Sequence, residues 1–387
     1  MKRQQFRLYI SGLAMFVLSG CAAIGDYLIG TDNAEPPAPL PVITELIRPA
    51  ILWSSQAGSG ADKQYVQLVP AVDNGKLFVA DRKGRVYAYD ALTGNKLWEK
   101  ETGVPLAAGP GTGDGLVLVG SSEGDVVALK EDDGSEAWRV KVTSEVLAIP
   151  RASAGISVVR SVDGRLFGFS SDSGKRRWVY DRTMPILTLR GSSSPVLTAG
   201  VVITGFDSGR LAVLTLDHGL PIWDKTIAFP RGRSELERLV DIDADPVIVN
   251  GVIYVTSYQG GVVALDLESG RSLWSRELSS YAGISVDASN VYVTDANSLV
   301  WALDRRTGKE VWKQEKLRAR SLTGPVAYKD YVVAGDFEGY LHWMSKADGR
   351  FVARTRIDDQ GIITSPIVRN DILYAYGKSG QVQALKP

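Results

Sequence analysis

The sequence contains few of the residues that most often carry chemistry. It has one cysteine, Cys21, which excludes an intrachain disulfide. Its two histidines, His218 and His342, have no metal-binding or nucleophilic partner nearby in the sequence, and we expect both to be structural. Lysine plus arginine and aspartate plus glutamate each number 44, so the net charge is zero. Without a basic stripe, nucleic-acid binding is set aside.

The chain also lacks a hydrophobic run long enough to make a convincing membrane span. Its most apolar run, 8–18, follows Lys2, Arg3 and Arg7 and is followed by small residues. This order of a positive end, an apolar core and small residues is typical of a secretory signal. We therefore predict that residues 1–20 are a signal peptide.

The signal ends in Leu18-Ser19-Gly20-Cys21, which resembles the bacterial lipobox. The resemblance implies cleavage before Cys21 and attachment of diacylglycerol and palmitate to this residue. The next residue is Ala22 rather than aspartate, which implies an outer-membrane address. The alternative is that Cys21 is an unmodified cysteine of a signal peptide. Residues 21–47 are rich in proline without an apolar period, and we predict a lipidated tether whose coil would span about 30 Å.

A unit of about forty residues recurs along the rest of the chain. Each full unit has a glycine four residues before a tryptophan, and its short apolar runs, such as 77–80 and 86–89, indicate strands joined by tight turns. An earlier strand in most units contains a proline, which belongs on a sheet edge. The pairs are Gly94/Trp98, Gly134/Trp138, Gly174/Trp178, Gly219/Trp223, Gly270/Trp274 and Gly308/Trp312.

Four strands per unit at this period are typical of a propeller blade. A seventh unit has Ala353 where tryptophan is expected, and an eighth begins at Pro366 and lacks its fourth strand. The segment 50–53, ending in Trp53, supplies that strand. We predict an all-β chain in which 48–387 form an eight-bladed β-propeller of four-stranded antiparallel blades, closed by pairing of the N- and C-terminal strands.

The pattern Asp-x-x-Thr-Gly-x-x-x-Trp, as in 90–98, resembles the tryptophan-docking repeats of quinoprotein dehydrogenases. The resemblance implies that each tryptophan packs onto the next blade. Those enzymes use calcium, a catalytic aspartate and often two adjacent cysteines, and this chain cannot provide the cysteine pair. We expect no catalytic residue, no metal and no cofactor other than the lipid. A PQQ-dependent dehydrogenase-like enzyme, or a scaffold for another cell-envelope complex, remains the alternative.

The combination of lipobox, proline-rich tether and eight degenerate repeats resembles the BamB family, the lipoproteins of the outer-membrane β-barrel assembly (BAM) machinery. The resemblance implies a non-enzymatic scaffold that is anchored to the outer membrane, faces the periplasm and promotes folding and insertion of β-barrel proteins. It also implies binding to the POTRA domains of BamA. Whether unfolded outer-membrane proteins also bind stays open.

Two consecutive repeats are longer than the others, from Gly174 to Gly219 (45 residues) and from Gly219 to Gly270 (51 residues). Insertions in repeat proteins map to loops and often to the binding face. The two insertions follow outer strands, so both lie on one face. Ser234 and Glu237 form a capping-box pattern that predicts a short helix over about 235–239.

The candidate partner-binding residues are Leu187, Leu189, Arg190, Asp241 and Asp243. Arg190 and Asp241 each lie five residues before a repeat proline, so we expect them near each other at the channel rim. Two leucines and an arginine on a loop are typical of interfaces. The BamB resemblance implies the same role, because a Leu-Thr-Leu-Arg segment and an Asp-x-Asp pair are that family's docking residues.

Other interpretations of these residues stay open. The leucines could instead pack into the blade edge. The aspartates could cap a local turn, or bind a cation together with Asp245. The charged run 313–320 is expected to be a solvated loop rather than a second binding surface.

Overall fold

The fold consists of β-strands joined by turns. The computed structural model describes residues 35–61, 66, 68–183, 185, 187–189, 191–230, 233–234 and 237–387, and all regular elements in these ranges are strands. The strands form eight four-stranded sheets, and pairing is antiparallel throughout. The predicted eight-bladed, all-β propeller is confirmed. In the described ranges no helix is long and apolar enough to span a membrane.

Each blade runs from an inner strand at the central channel to an outer strand at the circumference. Blade 1 contains β2 (Ala71–Asp73), β3 (Lys76–Ala80), β4 (Arg85–Asp90) and β5 (Lys96–Glu101). Blade 2 contains β6 (Leu106–Gly113), β7 (Leu116–Ser121), β8 (Asp125–Lys130) and β9 (Glu136–Lys141). Blade 3 contains β10 (Arg151–Ser153), β11 (Ile156–Arg160), β12 (Arg165–Ser170) and β13 (Arg176–Asp181). Blade 4 contains β14 (Val196–Thr198), β15 (Val201–Gly205), β16 (Arg210–Thr215) and β17 (Pro221–Thr226).

The second half of the chain repeats this arrangement. Blade 5 contains β18 (Val247–Val249), β19 (Val252–Ser257), β20 (Gly261–Asp266) and β21 (Ser272–Arg276). Blade 6 contains β22 (Ile284–Val286), β23 (Asn290–Thr294), β24 (Val300–Asp304) and β25 (Glu310–Gln314). Blade 7 contains β26 (Val326–Tyr328), β27 (Tyr331–Gly335), β28 (Tyr340–Ser345) and β29 (Phe351–Arg356). Blade 8 contains β30 (Ile367–Arg369), β31 (Ile372–Tyr376), β32 (Gln381–Lys386) and, from the other end of the chain, β1 (Ala50–Gln56).

The ring closes through the composite blade that the sequence predicts. β1 pairs antiparallel with β32, from Ala50 opposite Lys386 to Gln56 opposite Gln381. Trp53 of β1 then extends onto blade 1, where its indole N–H donates to the Ala91 carbonyl at 3.0 Å. Because the ladder joins the two ends of the chain, blade 8 has four strands like the other blades.

The tryptophans pack onto neighbouring blades as the repeat resemblance implies. The indole N–H of Trp98 donates to the Glu131 carbonyl of blade 2 at 3.0 Å. Its ring covers Gly134, where a Cβ would lie 2.7 Å from the ring. Gly134 has φ +72°, a conformation that favours glycine. The repeat glycine is therefore required both by its turn and by the indole that covers it.

Blade 7 reverses the arrangement of large and small side chains. In blades 1 and 2, Trp98 and Trp138 on the outer strands lie opposite Ala88 and Ala128 on the adjacent strands. In blade 7 the outer strand carries Ala353, and the fully buried Trp343 lies opposite it. The missing repeat tryptophan is thus replaced from the neighbouring strand. The two outermost strands of blade 8, β32 and β1, come from opposite ends of the chain, so no turn connects them. Blade 8 therefore has no turn glycine at the place where a blade 7 tryptophan would pack.

Part of the predicted tether is bound to the propeller. The compact unit that contains the propeller begins at Ala38, whose N–H donates to the Arg318 carbonyl at 2.9 Å. Leu46 N–H donates to the Val352 carbonyl of β29 at 2.8 Å, and Ile47 packs against the core of blade 7. Residues 38–47 are therefore a strap on blade 7 and not free coil, which differs from the predicted boundary at residue 48. In the preceding unit, only residues 35–37 are described, without regular structure.

Candidate partner-binding face

Two long loops follow the outer strands of blades 3 and 4. The first connects β13, which ends at Asp181, with β14, which begins at Val196. The second connects β17, which ends at Thr226, with β18, which begins at Val247. The N–H of Leu189 in the first loop donates to Oδ2 of Asp241 in the second. The two insertions therefore lie together on one face, as predicted from the repeat.

The two leucines of the first loop differ in exposure. Leu187 is 40% exposed, whereas Leu189 is half-buried beside its hydrogen bond to Asp241. The interpretation that both leucines pack into the blade edge is wrong for Leu187. Arg190 lies outside the described residues, so its predicted proximity to Asp241 stays a prediction. The apolar side chain that this loop presents to solvent is Leu187.

The two aspartates are buried beneath the loops. Asp241 is 0% exposed and Asp243 is 7% exposed. One oxygen of each carboxylate, Oδ1, has no hydrogen-bond partner within the described residues. The burial of both carboxylates does not fit direct pairing with the charges of a partner. Asp241 instead accepts the backbone N–H of Leu189 in the first loop, and it thereby fixes the loop that carries Leu187.

Burial also shifts the protonation of both aspartates. It raises the pKa of Asp241 to about 7, against the opposing effect of the Leu189 hydrogen bond. It raises the pKa of Asp243 to about 8, and the charges of Asp207 and Asp241 act in the same direction. A raised pKa means that the neutral acid is favoured, because a buried carboxylate loses its hydration. Near neutral pH both groups are therefore largely or partly protonated.

A buried ion pair lies close to these aspartates. Nη2 of Arg160, at the end of β11, donates to Oδ1 of Asp207 at 2.7 Å, and Nη1 donates to the Ser193 carbonyl at 3.1 Å. The side chains of Arg160 and Asp207 are 0% and 1% exposed. The guanidinium also lies 5.2 Å from the centre of the Phe206 ring. Arg160 thus joins blade 3, the first loop through Ser193, and blade 4.

Sequence reasoning missed this pair, although the repeat contained a signal for it. The register position of Arg160 on the second strand of its blade carries Ala80, Gly120 and Gly205 in blades 1, 2 and 4. An arginine where other blades have a small residue indicates a special contact. The contact proves to be the support of the first long loop.

The second loop also presents an apolar side chain. Phe229 is 63% exposed, and it was not among the predicted site residues. Further along, the predicted capping box forms: Ser234 Oγ accepts the Glu237 N–H at 3.2 Å, and the Glu237 carboxylate accepts the Ser234 N–H at 3.1 Å. Residues 235 and 236 of the predicted helix lie outside the described residues; residues 237–238 form a turn, and the chain then enters the buried stretch that begins at Leu239.

The charged run 313–320 is more than a solvated loop. Leu317 is fully buried, and the Arg320 side chain is 3% exposed. Arg320 Nε donates to Oδ2 of Asp336 at 2.9 Å, and Nη1 donates to the Ala38 carbonyl of the strap at 3.0 Å. The expectation of a solvated run is therefore wrong at its C-terminal end, where the run fixes the strap to blade 7.

The histidines occupy structural positions. His218 is exposed in a turn beside Asp217, with Nδ1 at 2.7 Å from the carboxylate. His342 is buried in β28, with Nε2 at 2.9 Å from Asp336 Oδ2, and burial lowers its pKa. In the described part of the chain no three His, Cys, Asp or Glu side chains are placed to hold a metal ion.

Comparison with known proteins identifies the family. The family model described as "Outer membrane protein assembly factor BamB" matches residues 49–108 and 82–314. A protein of the same description from Alkalilimnicola ehrlichii is 48% identical over 386 residues, covering 100% of this chain and 98% of the relative.

The chain belongs to the BamB family. Its relatives carry the name of an assembly factor and not of an enzyme, so the dehydrogenase alternative is excluded. The BamB name also associates the chain with the outer membrane and its protein assembly machinery.

Solved structures agree with this membership. The crystal structure of BamB from Moraxella catarrhalis superimposes with a TM-score of 0.80 at 27% identity, covering 88% of this chain and 100% of that one. A quinohemoprotein alcohol dehydrogenase from Comamonas testosteroni superimposes with a TM-score of 0.67 at 15% identity, covering 87% of this chain and 76% of that one. The second likeness concerns the fold alone.

Proposed function

We propose that this chain is a lipid-anchored, non-enzymatic scaffold that binds the POTRA domains of BamA through its two long loops. The observation that carries the proposal is the hydrogen bond between Leu189 and Asp241, which holds both loops on one face with Leu187 exposed. Membership in the BamB family supplies the context of outer-membrane protein assembly.

The face has the composition of a protein-binding surface. Leu187 and Phe229 are exposed apolar side chains on the two loops. Interfaces are centred on a few such side chains, surrounded by polar groups. Arg190 lies three residues after Leu187 in the sequence and adds a guanidinium that can pair with a carboxylate of the partner. Asp241 and Asp243 act through the loop conformation, because both are buried.

A lipid anchor would bring this face into the compartment of the proposed partner. Lipidation of Cys21, followed by Ala22, would attach the chain to the periplasmic side of the outer membrane. The predicted tether would then keep the propeller close to the membrane surface, where an integral membrane partner has its soluble domains.

The scaffold role requires no cofactor, and we propose that none is bound for it. Unfolded outer-membrane proteins remain a second possible class of partner. The described residues do not favour that class over BamA, since the exposed apolar side chains of the face are Leu187 and Phe229 on two loops and not a continuous strand edge.

Binding to the periplasmic half of BamA tests the proposal. We would measure the dissociation constant of the soluble chain, without its lipid, for wild type, Leu187→Ala and Phe229→Ala. Leu92→Ala is the matched control, because Leu92 is 67% exposed in a β4–β5 turn on the opposite face. Truncation of an anchor residue is expected to cost about 1–2 kcal/mol, or roughly tenfold in affinity.

The possible outcomes test the binding face and the choice of partner separately. Loss of binding in Leu187→Ala and retention in Leu92→Ala would support the loop face. Equal binding of all variants would contradict the proposed face. Absence of binding by the wild type would contradict BamA as the direct partner.

A further inference from the structure

The central channel contains a cavity that the scaffold role does not use. Inner strands from the blades surround a volume of about 670 Å³. Pockets that bind small molecules have volumes of about 300–1,000 Å³, with mostly apolar walls and a few polar groups. Val72, Pro110, Ile149 and Val326 are among the apolar residues of this wall. The cavity therefore has the size of a small-molecule site, and its wall is about as polar as it is apolar.

Two arginines are among the few charged residues in this wall. Arg151 begins β10 of blade 3, and Arg369 ends β30 of blade 8. Within the described residues, no hydrogen bond and no ion pair within 4 Å involves the Arg151 side chain. Among the described residues, the Arg369 side chain donates only to the Val368 carbonyl, at 3.3 Å. Within this part of the chain, both guanidinium groups therefore keep most of their donors available to a bound molecule.

Two aspartates also line this wall. Asp245 Oδ1 accepts the Ser194 N–H at 2.6 Å, and burial raises the pKa of Asp245. Asp243, with a pKa of about 8, is largely neutral near pH 7. Burial lowers the pKa of Arg151; Asp245 opposes this effect, whereas the positive charge of Arg369 adds to it. The channel wall therefore carries two guanidinium groups, and Asp245 is the carboxylate that acts on Arg151.

We propose that the channel binds a small polyanion, with carboxylate or phosphate groups held by Arg151 and Arg369. A guanidinium presents paired N–H donors that match either group bidentately. An anion between the two arginines occupies donors for which the described residues provide few partners. The site lies at the axis of the ring, and the second long loop contributes Asp243 and Asp245 to its wall.

Isothermal titration of the soluble chain with pyrophosphate, and separately with citrate, tests this site. The variants are Arg151→Gln and Arg369→Gln. Arg271→Gln is the matched control, because Arg271 is exposed in the β20–β21 turn outside the channel. We expect one saturable site per chain, with affinity about tenfold or more weaker in each channel variant and unchanged in the control. The probe that binds more tightly identifies phosphate or carboxylate as the preferred group.

Two results would overturn the proposal. One is the absence of saturable binding of both probes at millimolar concentration. The other is equal binding by the wild type and all three variants, which would mean adventitious ion binding elsewhere on the surface. Arg369→Gln keeps the test valid if Arg151→Gln disturbs folding, because Arg369 is exposed and its side chain makes only the one hydrogen bond to its neighbour.

Discussion

The backbone N–H of Leu189 donates a hydrogen bond to the carboxylate of Asp241, 52 residues further along the chain. This bond joins the two longest loops of the propeller and leaves Leu187, two residues before it, exposed to solvent. The pair explains how a fully buried aspartate can influence a binding face that it does not itself reach. Leu187 and Asp241 therefore have different roles, although both were predicted as partner-binding residues. The Leu187 side chain is exposed to solvent, whereas Asp241 fixes the position of the loop that carries it.

Replacing the Asp241 side chain should affect binding through the loop. Asp241→Ala removes the acceptor of the Leu189 N–H, which costs about 1–3 kcal/mol locally when the donor stays buried. We expect partner binding to weaken although the side chain is buried. Asp241→Asn keeps a carbonyl acceptor and should retain most of the affinity. Dissociation constants of both variants check this, and equal loss in both would show that the negative charge itself is needed.

Stability should decrease as the pH rises. Asp241 and Asp243 have pKa values of about 7 and 8 in the folded chain, against about 3.9 in an unfolded chain. Between about pH 4 and pH 8 the folded chain therefore binds more protons than the unfolded chain. The contribution of these two groups to the free energy of unfolding is largest below about pH 4 and declines up to about pH 8.

The matched variant isolates this effect. Asp243→Asn cannot titrate, so its melting temperature should fall less than that of the wild type between pH 5 and pH 8 at constant ionic strength. The difference should correspond to about 1 kcal/mol or more, since one pKa unit equals about 1.4 kcal/mol. Parallel melting curves of wild type and variant across this range would contradict the raised pKa.

The tryptophan contact can be measured separately from the glycine conformation. Gly134 and Gly115 have φ values of +72° and +73°, but only Gly134 is covered by an indole ring, that of Trp98. Replacing either by alanine should cost about 1–2 kcal/mol for the left-handed backbone. Gly134→Ala should cost more, because its Cβ displaces Trp98 from the Glu131 carbonyl. Urea denaturation of both variants gives the comparison, and equal midpoints would mean that the indole contact adds no stability.

Breaking the buried ion pair between Arg160 and Asp207 should reduce stability more than removing both of its charges. Arg160→Met leaves Asp207 buried without its partner, and such changes cost about 3–5 kcal/mol. The double variant Arg160→Met/Asp207→Leu removes both charges and should recover much of this loss. Denaturant unfolding of the single and double variants measures the coupling. If the double variant were as unstable as the sum of the single ones, the pair would not act as a unit.

The sequence predicted the architecture because the repeat carries local signals. Trp98, Gly134 and the short strands between turns recur at a fixed spacing, and each blade packs only on its neighbours. Even the composite blade followed from strand counting. The same regularity made Arg160 detectable in principle, since it replaces a small residue.

The supporting details of the site depended on long-range packing. The repeat register brings the two long loops near each other, but it does not show that the Leu189 N–H will meet Asp241 or that this carboxylate will be buried. The binding of the strap by Arg320 is similar, because Ala38 lies far from it in sequence. The capping-box bonds between Ser234 and Glu237 followed from their local spacing, whereas the burial of Leu239 did not.

Photo-crosslinking in intact cells tests the central claim most directly. A photoreactive amino acid would replace Leu187 on the loop face or, as the control, Leu92 in the opposite β4–β5 turn, in the lipidated chain. Both side chains are exposed, Leu187 by 40% and Leu92 by 67%, so both positions are accessible to solvent. We expect crosslinks to BamA from position 187 and not from position 92. Crosslinks from position 92 alone, or from neither position, would contradict the loops of blades 3 and 4 as the binding face.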